Sequence, residues 1–480
     1  MCCGDWLLFL PIILTYMTDI EYNQQIEYIF NRFPSFQKIG AGAYKPGIEG
    51  MKALAEATGN PHKRFRTIHI AGTNGKGSTS HMIAAALSRM QLKVGLYTSP
   101  HLVDFRERIK ISAPDGFGMI SKDYVHSFIN LYKSVFEREK SSFFEITTAM
   151  AFAWFAHNDV DIAVIECGLG GRLDSTNIIN PELSVITNIG LDHCDFLGST
   201  PQAIAAEKAG IIKKGIPVVI GEKSGVEEIF ARKAAECGAP IIFAEEYESK
   251  LLVQEGLEPD KLDLKGACQD KNIKTVTAAV ELLLQQDGGG ALSKVAFSNI
   301  VDGIHNAASI TGLHGRWERL CEKPFIVCDT GHNSHGFRLL GDQIKETFGS
   351  EEPIAKPDNT AGRVSYRRLF MIFGVVADKD LDSIAKYLPN LCSNGLGNEV
   401  KAYYFFVNAQ GARALPAKKL QEKMTAMGFD GEILGNGGVA ETISLYMNGI
   451  VRDDDMVFIG GSTFVVAEAI PFFKEKLKKY

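Results

Sequence analysis

Gly72-Thr73-Asn74-Gly75-Lys76-Gly77-Ser78-Thr79 lies between an apolar β-rich run, TIHIAG (67–72), and a helical stretch, Ser78–Met90. Glycines allow successive backbone N–H groups to converge on phosphate oxygens. The start of a helix adds its positive end, and Lys76 adds a point charge. The usual Walker spelling is G-x-x-x-x-G-K-[ST]. Here Ile70 stands at the first glycine position, and Gly77 separates Lys76 from Ser78. A lysine-bearing glycine loop placed after a strand and before a helix predicts a nucleotide site, formed by Gly72, Thr73, Asn74, Gly75, Lys76, Gly77, Ser78 and Thr79.

Outward from this loop the same alternation continues. KVGLYT (93–98), DIAVIE (161–166), LSVITNIG (183–190), PVVIG (217–221) and PIIFAE (240–245) read as strands, several apolar on both faces. Helical patterns separate them at Glu145–His157, Pro201–Ile212 and Gly225–Cys237, and a further helix is expected at Asn272–Gln286. Doubly apolar strands alternating with helices predict a parallel sheet covered on both sides. After the glycine-rich break at 287–290 the alternation restarts with PFIVCD (324–329), RLFMIFG (368–374), KAYYFFVN (401–408) and DMVFIGG (455–461), ending in a helix to Tyr480. The expected fold is therefore α/β. An N-terminal P-loop parallel-sheet ATPase domain over residues 17–309 precedes a smaller Rossmann-like domain over 310–480. The polar stretch 350–368 reads as a surface loop.

Composition narrows the class. The 480 residues are 45% apolar and 22% charged, with 51 basic against 57 acidic side chains, a net charge of -6. With no basic excess, nucleic acid is not an expected partner, and an anionic nucleotide must be held by local groups. The nine cysteines include one adjacent pair, Cys2-Cys3, and no C-x-x-C spacing. Reduced, mostly buried thiols in a cytoplasmic enzyme are expected. Trp6–Tyr16 is apolar but too short to span a bilayer, and it lacks the basic start and the cleavage site of a secretory signal. Residues 1–16 are read as lying outside the fold, with translation beginning at Met17; a weak membrane or lipid signal is the other reading.

Beyond the loop, several stretches in fixed order carry a resemblance. They are Thr98-Ser99-Pro100-His101-Leu102 followed by Arg106-Glu107-Arg108-Ile109, Glu166–Asn177 (ECGLGGRLDSTN), Asp192-His193, Glu207–Ile211 (EKAGI), Gly315-Arg316, and Asp329–Asn333 (DTGHN). With G-T-N-G-K-G-S they resemble the Mur ligase superfamily, in particular the folylpolyglutamate synthase and dihydrofolate synthase family, from about Pro34 to Ala469. The resemblance implies an ATP-dependent ligase that joins L-glutamate to dihydropteroate, to the γ-glutamyl tail of tetrahydrofolate-type folates, or to both, through an acyl phosphate. A monomer without a membrane partner is expected.

Glu166 ends one apolar strand, and Ser99 and His193 follow two others, so all three are expected at the strand-end rim where open α/β sheets bind ligands. A carboxylate, a hydroxyl and an imidazole can complete Mg²⁺ coordination with phosphate oxygens and water. By resemblance these are the metal positions; read alone, Ser99 could cap a turn, and Glu166 and His193 could pair with neighbours. Lys208, placed by the pattern at a helix start, corresponds to the family lysine that is carbamylated and helps bind a second Mg²⁺. Ser142, Phe143, Phe144 and Glu145 resemble the segment lying along the pterin, although the first residue often differs in the family and either ring could be core. Leu173, Asp174 and Ser175 match the opposite wall, with Ser in place of the usual Ala. Asn272 matches an adenine-reading asparagine and could equally cap a helix. Arg316 and Asp329 match groups that reach the nucleotide, and His332 is expected near the phosphate or the incoming amine.

Two rivals differ in sequence. A muramoyl-peptide ligase places a further UDP-binding domain before the phosphate loop, and the stretch from Met17 to Gly72 is too short to hold one. A nucleotide-dependent switch would hydrolyse ATP with neither glutamate nor a pteroate, and a small-molecule kinase would release no phosphate.

Overall fold

The computed structural model describes residues 18–35, 40, 45, 47–288, 290, 295–355 and 361–477. The reading of residues 1–16 lies outside them. The chain divides into two compact units, one formed up to Asp263 with Gln269–Leu313, the other by Leu264–Cys268 with His314–Tyr480. The sequence places the division near 310; the chain crosses at Leu313–His314 and makes one earlier excursion at 264–268.

In the first unit the strands are β1 (Arg66–Ala71), β2 (Val94–Tyr97), β3 (Ile109–Ala113), β4 (Gly116–Met119), β5 (Ile162–Glu166), β6 (Leu183–Ile186), β7 (Val218–Ile220) and β8 (Ile241–Phe243). They form an eight-stranded sheet in the order β4-β3-β2-β5-β1-β6-β7-β8. β1 lies near the centre, parallel to β5 on one side and to β6 on the other. Its burial explains its composition. Ile68 and Ile70 are buried, and so are Thr67, His69 and Ala71 on the alternate positions, as expected for a strand covered on both faces. The sheet is not wholly parallel: β3 runs antiparallel to β2 and to β4. That edge hairpin escapes the sequence reading because IKISA and GFGM are short and carry Lys110 and two glycines.

One core cluster joins Tyr97, Ala163 and Ile165 to residues of the Lys122–Arg138 and Phe143–His157 helices, such as Phe128, Phe152 and Phe155. Another joins Ala71, Ile186, Val218 and Ile220 to Ile204, Ala205 and Phe230 of the Pro201–Ala209 and Glu227–Cys237 helices. The Lys76–Ser88 helix is buried from Ser78 through Leu87. Its small residues permit close neighbours; a Cβ on Gly303 would stand 2.7 Å from the carbonyl oxygen of Ala85.

The second unit contains β9 (Glu318–Cys321), β10 (Phe325–Asp329), β11 (Glu351–Ala355), β12 (Ala361–Ser365), β13 (Arg368–Phe373), β14 (Leu391–Ser393), β15 (Glu399–Lys401), β16 (Tyr403–Phe406), β17 (Asp430–Glu432) and β18 (Asp455–Gly460). Six of them form a sheet in the order β17-β16-β13-β18-β10-β9, with only β9 antiparallel to its neighbour. Its core gathers Phe337, Met371, Tyr404, Leu420 and Phe458. The stretch expected as a surface loop instead pairs β11 with β12 as an antiparallel ribbon. A ladder of backbone hydrogen bonds does not depend on apolar alternation, so a polar, Pro-containing stretch concealed it.

Of the seven described cysteines, Cys167, Cys328 and Cys392 are buried, Cys237 and Cys321 are intermediate, and Cys194 and Cys268 are exposed. The expectation of mostly buried thiols is thus too strong. Among the described residues no helix is long and apolar enough to cross a membrane.

Candidate functional site

The phosphate loop leaves the C-terminal end of β1, and the end of β6 braces it. Thr73 N–H donates to the carbonyl of Asn188 at 3.0 Å. Asn74 N–H donates to Asn188 Oδ1 at 2.9 Å, and Thr187 Oγ1 donates to the Asn74 carbonyl at 2.6 Å. Gly72 has φ +151°, and a Cβ there would collide with Thr187 Oγ1. The glycine is thus required by both backbone conformation and contact. The amides of Thr73 and Asn74 are therefore committed to bracing the loop. The helix that follows starts at Lys76 with Gly75 as its N-cap, and no side chain caps it. Its first amides and its positive end are the groups suited to a phosphate.

Two lysines converge behind the loop. Lys76 Nζ donates to the carbonyls of Gly72 and Thr73 at 3.0 and 3.1 Å, and Lys208 Nζ donates to the Gly72 carbonyl at 2.8 Å. Lys208 is buried. Burial, and next the positive charge of Lys76, lower its ammonium from 10.5 to about 7. It occupies the last turn of the Pro201–Ala209 helix, not a helix start; Gly210 directly after it caps the helix C-terminus.

Glu166 is the final residue of β5 and is buried, and Ser99 N–H donates to its Oε2 at 3.3 Å. Because β2 and β5 are parallel neighbours, Ser99 and Glu166 share one rim with the phosphate loop. His193, beyond β6, has φ 52°, and its Nε2 lies 3.9 Å from Asp192 Oδ2. Among the described residues no three His, Cys, Asp or Glu side chains gather as a metal cage. A buried carboxylate beside a serine suits a hard cation that takes its remaining oxygens from phosphate and water.

Ser142 and Glu145 form a capping box at the start of the Phe143–His157 helix, Ser142 N–H donating to Glu145 Oε2 at 2.7 Å and Glu145 N–H to Ser142 Oγ at 3.1 Å. Lys45 Nζ stands 3.6 Å from the same Glu145 carboxylate. Both polar side chains thus have local structural work. The two rings part company. Phe143 is buried against Phe30 and Phe105, whereas Phe144 is half-buried over Gly168, where a Cβ would lie 2.5 Å from its ring. Only Phe144 can offer a face to a flat heterocycle.

Asp174, expected as a wall residue, is buried, and its carboxylate accepts from the amides of Gly168 and Leu169 at 2.9 and 2.8 Å and from Thr176 N–H at 2.9 Å. Burial raises its pKa against the pull of those bonds. Leu173 and Ser175 beside it are half-buried.

Asn272 lies inside the first turn of the Gln269–Gln286 helix, so it is not the cap. Its Nδ2 donates to Gln269 Oε1 at 2.8 Å, and its Oδ1 occupies the place a Cβ of Gly75 would take. In the second unit, Arg316 donates to Thr330 Oγ1 and to the Gly315 carbonyl. Asp329 accepts from Trp317 N–H at 2.8 Å and Gly331 N–H at 2.7 Å, and burial raises its pKa. His332 Nδ1 is 3.0 Å from the Thr330 carbonyl. The β10–Ser334 turn thus brings these three groups together.

Sequence reading gave no role to Arg108, Thr187, Asn188 or Glu222. Arg108 is buried with its guanidinium 5.4 Å from the Phe143 ring, and its Nε donates to His101 Nδ1 at 2.8 Å. Burial lowers it to about 10, still charged near neutrality. The visible signal for Thr187 and Asn188 was a polar pair ending an apolar strand.

Comparison with known proteins decides the family. Residues 70–283 match the Mur ligase middle domain. A dihydrofolate synthase/folylpolyglutamate synthase of Bacillus subtilis is 32% identical over 369 residues, covering 72% of this chain and 79% of its own length. The chain belongs to the folylpolyglutamate synthase and dihydrofolate synthase family. Such synthases are ATP-dependent ligases of the two-domain Mur type. A folylpolyglutamate synthase structure from Thermotoga maritima superposes with TM-score 0.71 at 27% identity, covering 95% of this chain and 97% of that one. A bifunctional folylpolyglutamate synthase/dihydrofolate synthase solved with Mn, AMPPNP and L-glutamate matches with TM-score 0.69 at 25% identity, covering 89% and 94%.

Proposed function

We propose that this synthase adds L-glutamate both to dihydropteroate and to reduced folates, using ATP and a divalent cation, Mg²⁺. The observation that carries the ATP- and cation-dependent part of this reading is the meeting of Lys76 and Lys208 on the carbonyl of Gly72; the pair of acceptors is supported by likeness to a synthase named for both activities. One lysine lies where a P-loop lysine neutralises phosphate. The other is buried, with an amine that is in part uncharged near pH 7. An uncharged amine is the form that adds CO₂, so Lys208 is suited to carbamylation, and the product supplies a negative oxygen toward the rim.

In the mechanism, Lys76 and the first amides of its helix hold the β- and γ-phosphates, and the substrate carboxylate attacks the γ-phosphorus, breaking its bond to the β–γ bridging oxygen and expelling ADP to leave an acyl phosphate. Arg316 and His332, both in the second unit, carry N–H donors of the kind that bind a phosphoryl oxygen. Glu166, Ser99, His193 and a carbamylated Lys208 would hold the divalent cation, which would supply positive charge toward the phosphoryl oxygens. The amine of glutamate then displaces phosphate from the acyl phosphate and loses a proton. Phe144 and Leu173 flank the heterocycle, and Asn272 beside Gly75 reads the adenine. Water exclusion protects the acyl phosphate.

The test is ADP release by the full chain with dihydropteroate and with tetrahydrofolate, each with and without glutamate. Release that requires glutamate with both acceptors supports the bifunctional reading. Release without either co-substrate overturns it.

A further inference from the structure

The first turn of the Gln269–Gln286 helix meets the phosphate loop twice. Asn272 lies against Gly75, and Gln269 Nε2 reaches Ser78 Oγ at 3.5 Å. A second route runs through side chains. Lys271 Nζ is 2.5 Å from Glu222 Oε2, Glu222 Oε1 accepts from Asn188 Nδ2 at 2.8 Å, and Asn188 Oδ1 accepts from Asn74 N–H at 2.9 Å.

The chemistry of that chain has one sense only. An amide side chain has a donor end and an acceptor end. A carboxylate can only accept, and a backbone N–H can only donate. Glu222 therefore fixes which way the Asn188 amide faces. Turned over, it would set NH₂ against the Asn74 N–H and its carbonyl against the Glu222 carboxylate. Asn188 also accepts Thr73 N–H through its backbone carbonyl, so the residue holds two successive loop amides. Glu222 is in turn held from both sides, by Lys271 through its side chain and by the Thr187 carbonyl through its backbone N–H at 2.9 Å.

We propose that Lys271, Glu222 and Asn188 form a positioning relay that fixes the phosphate loop in the shape that binds a nucleoside triphosphate. None of the three needs to touch the nucleotide. The inference rests on the ATP-dependent reading above. It goes beyond it by assigning loop geometry to an ion pair at the base of the neighbouring helix. Lys271 is 37% and Glu222 10% exposed at the side chain, and such a pair adds little to global stability. Its effect belongs in nucleotide affinity.

The experiment measures AMPPNP binding calorimetrically in MgCl₂, with the steady-state KM for ATP and for glutamate, on the full chain and on Lys271→Met, Glu222→Gln and their double variant. Each single variant is expected to weaken AMPPNP binding and raise the KM for ATP about fivefold or more. The double variant is expected to be no worse than the weaker single one, because a relay broken twice is broken once. The KM for glutamate and the melting temperature stay near wild type, and Lys271→Arg recovers affinity. Single-variant affinities within about twofold of wild type overturn the relay, as does full additivity in the double variant. A lowered melting temperature with unchanged affinity overturns it too, since the pair would then be merely structural. If wild type binds AMPPNP but releases ADP with no pteroate, the ligase reading fails while the relay is still judged by affinity. If wild type binds no AMPPNP, both fall.

Discussion

Lys208 Nζ donates to the carbonyl oxygen of Gly72 at 2.8 Å across a sequence separation of 136 residues. The same carbonyl receives Lys76, so two like charges share one acceptor in a buried place. Proximity of like charge and loss of water both favour releasing a proton, and Lys208 is the group that yields.

Removing Lys208 tests its chemistry. Lys208→Ala is expected to lose nearly all ADP release and to regain part of it with acetate. A carboxylate entering the cavity would replace the carbamate oxygen, whereas methylamine would replace a plain ammonium. Rescue by methylamine alone, or an intact mass showing an unmodified lysine under CO₂, counts against carbamylation.

The same lysine gives a pH dependence with a definite sign. Folding lowers its pKa from 10.5 to about 7. Between those values the unfolded chain binds more protons than the folded one, so stability rises with pH across that window. Below about 7 both states hold the proton and the contribution becomes flat. Lys208→Met is expected to flatten the rise, measured as urea midpoints from pH 7 to 10. An unchanged slope would place the titration elsewhere.

Lys76→Ala is expected to cut turnover by far more than tenfold, since the charge opposes phosphoryl oxygens in a water-poor site. A variant keeping more than about a tenth of the wild-type rate, roughly 1.4 kcal/mol, would show that the loop does not hold the transferring phosphate.

Glu166→Gln keeps shape and removes the charge a hard cation seeks. The expected result is a sharply higher Mg²⁺ requirement with an unchanged circular dichroism spectrum. Wild-type Mg²⁺ dependence would leave Glu166 as a partner of the Ser99 amide and nothing more.

These residues differ in how far the sequence exposes them. Lys76 and Glu166 are legible because Lys76 opens the helix after the glycine loop that follows doubly apolar β1, and Glu166 ends doubly apolar β5 just before glycines. The division of Phe143 from Phe144 is not, because it depends on helix phase, and that phase is set by the Ser142–Glu145 capping box. The amides of Thr73 and Asn74 read as phosphate donors until Asn188, far along the chain, is seen to hold them. The β11–β12 ribbon and the β3–β4 hairpin are backbone ladders, and composition records side chains.

Thr176→Val tests the wall beneath the proposed acceptor site. Asp174 holds the amides of Gly168 and Leu169, and the Thr176 hydroxyl donates to the same carboxylate. Since that proton is committed, the His69 Nε2 at 2.8 Å must be the donor to Thr176 Oγ1. Burial supports the neutral imidazole this requires, lowering His69 to about 3. The second ring nitrogen, Nδ1, is buried without a hydrogen-bond partner among the described residues, as the lone-pair nitrogen of that tautomer. Valine keeps the shape of threonine but breaks the chain at its middle, leaving the His69 Nε2 donor with only the weak acceptor Cys167 Sγ at 3.1 Å and Asp174 with one bond fewer. The cost is expected to be about 1–3 kcal/mol of stability, read from urea unfolding. Among the molecules that survive folded, the Gly168–Leu169 turn is less firmly held. The KM for the pteroate substrate should therefore rise while the KM for ATP stays put, and Thr176→Ser should restore both. Equal rises in the two KM values would mean that the cluster supports the β1–loop junction as a whole and not the acceptor wall.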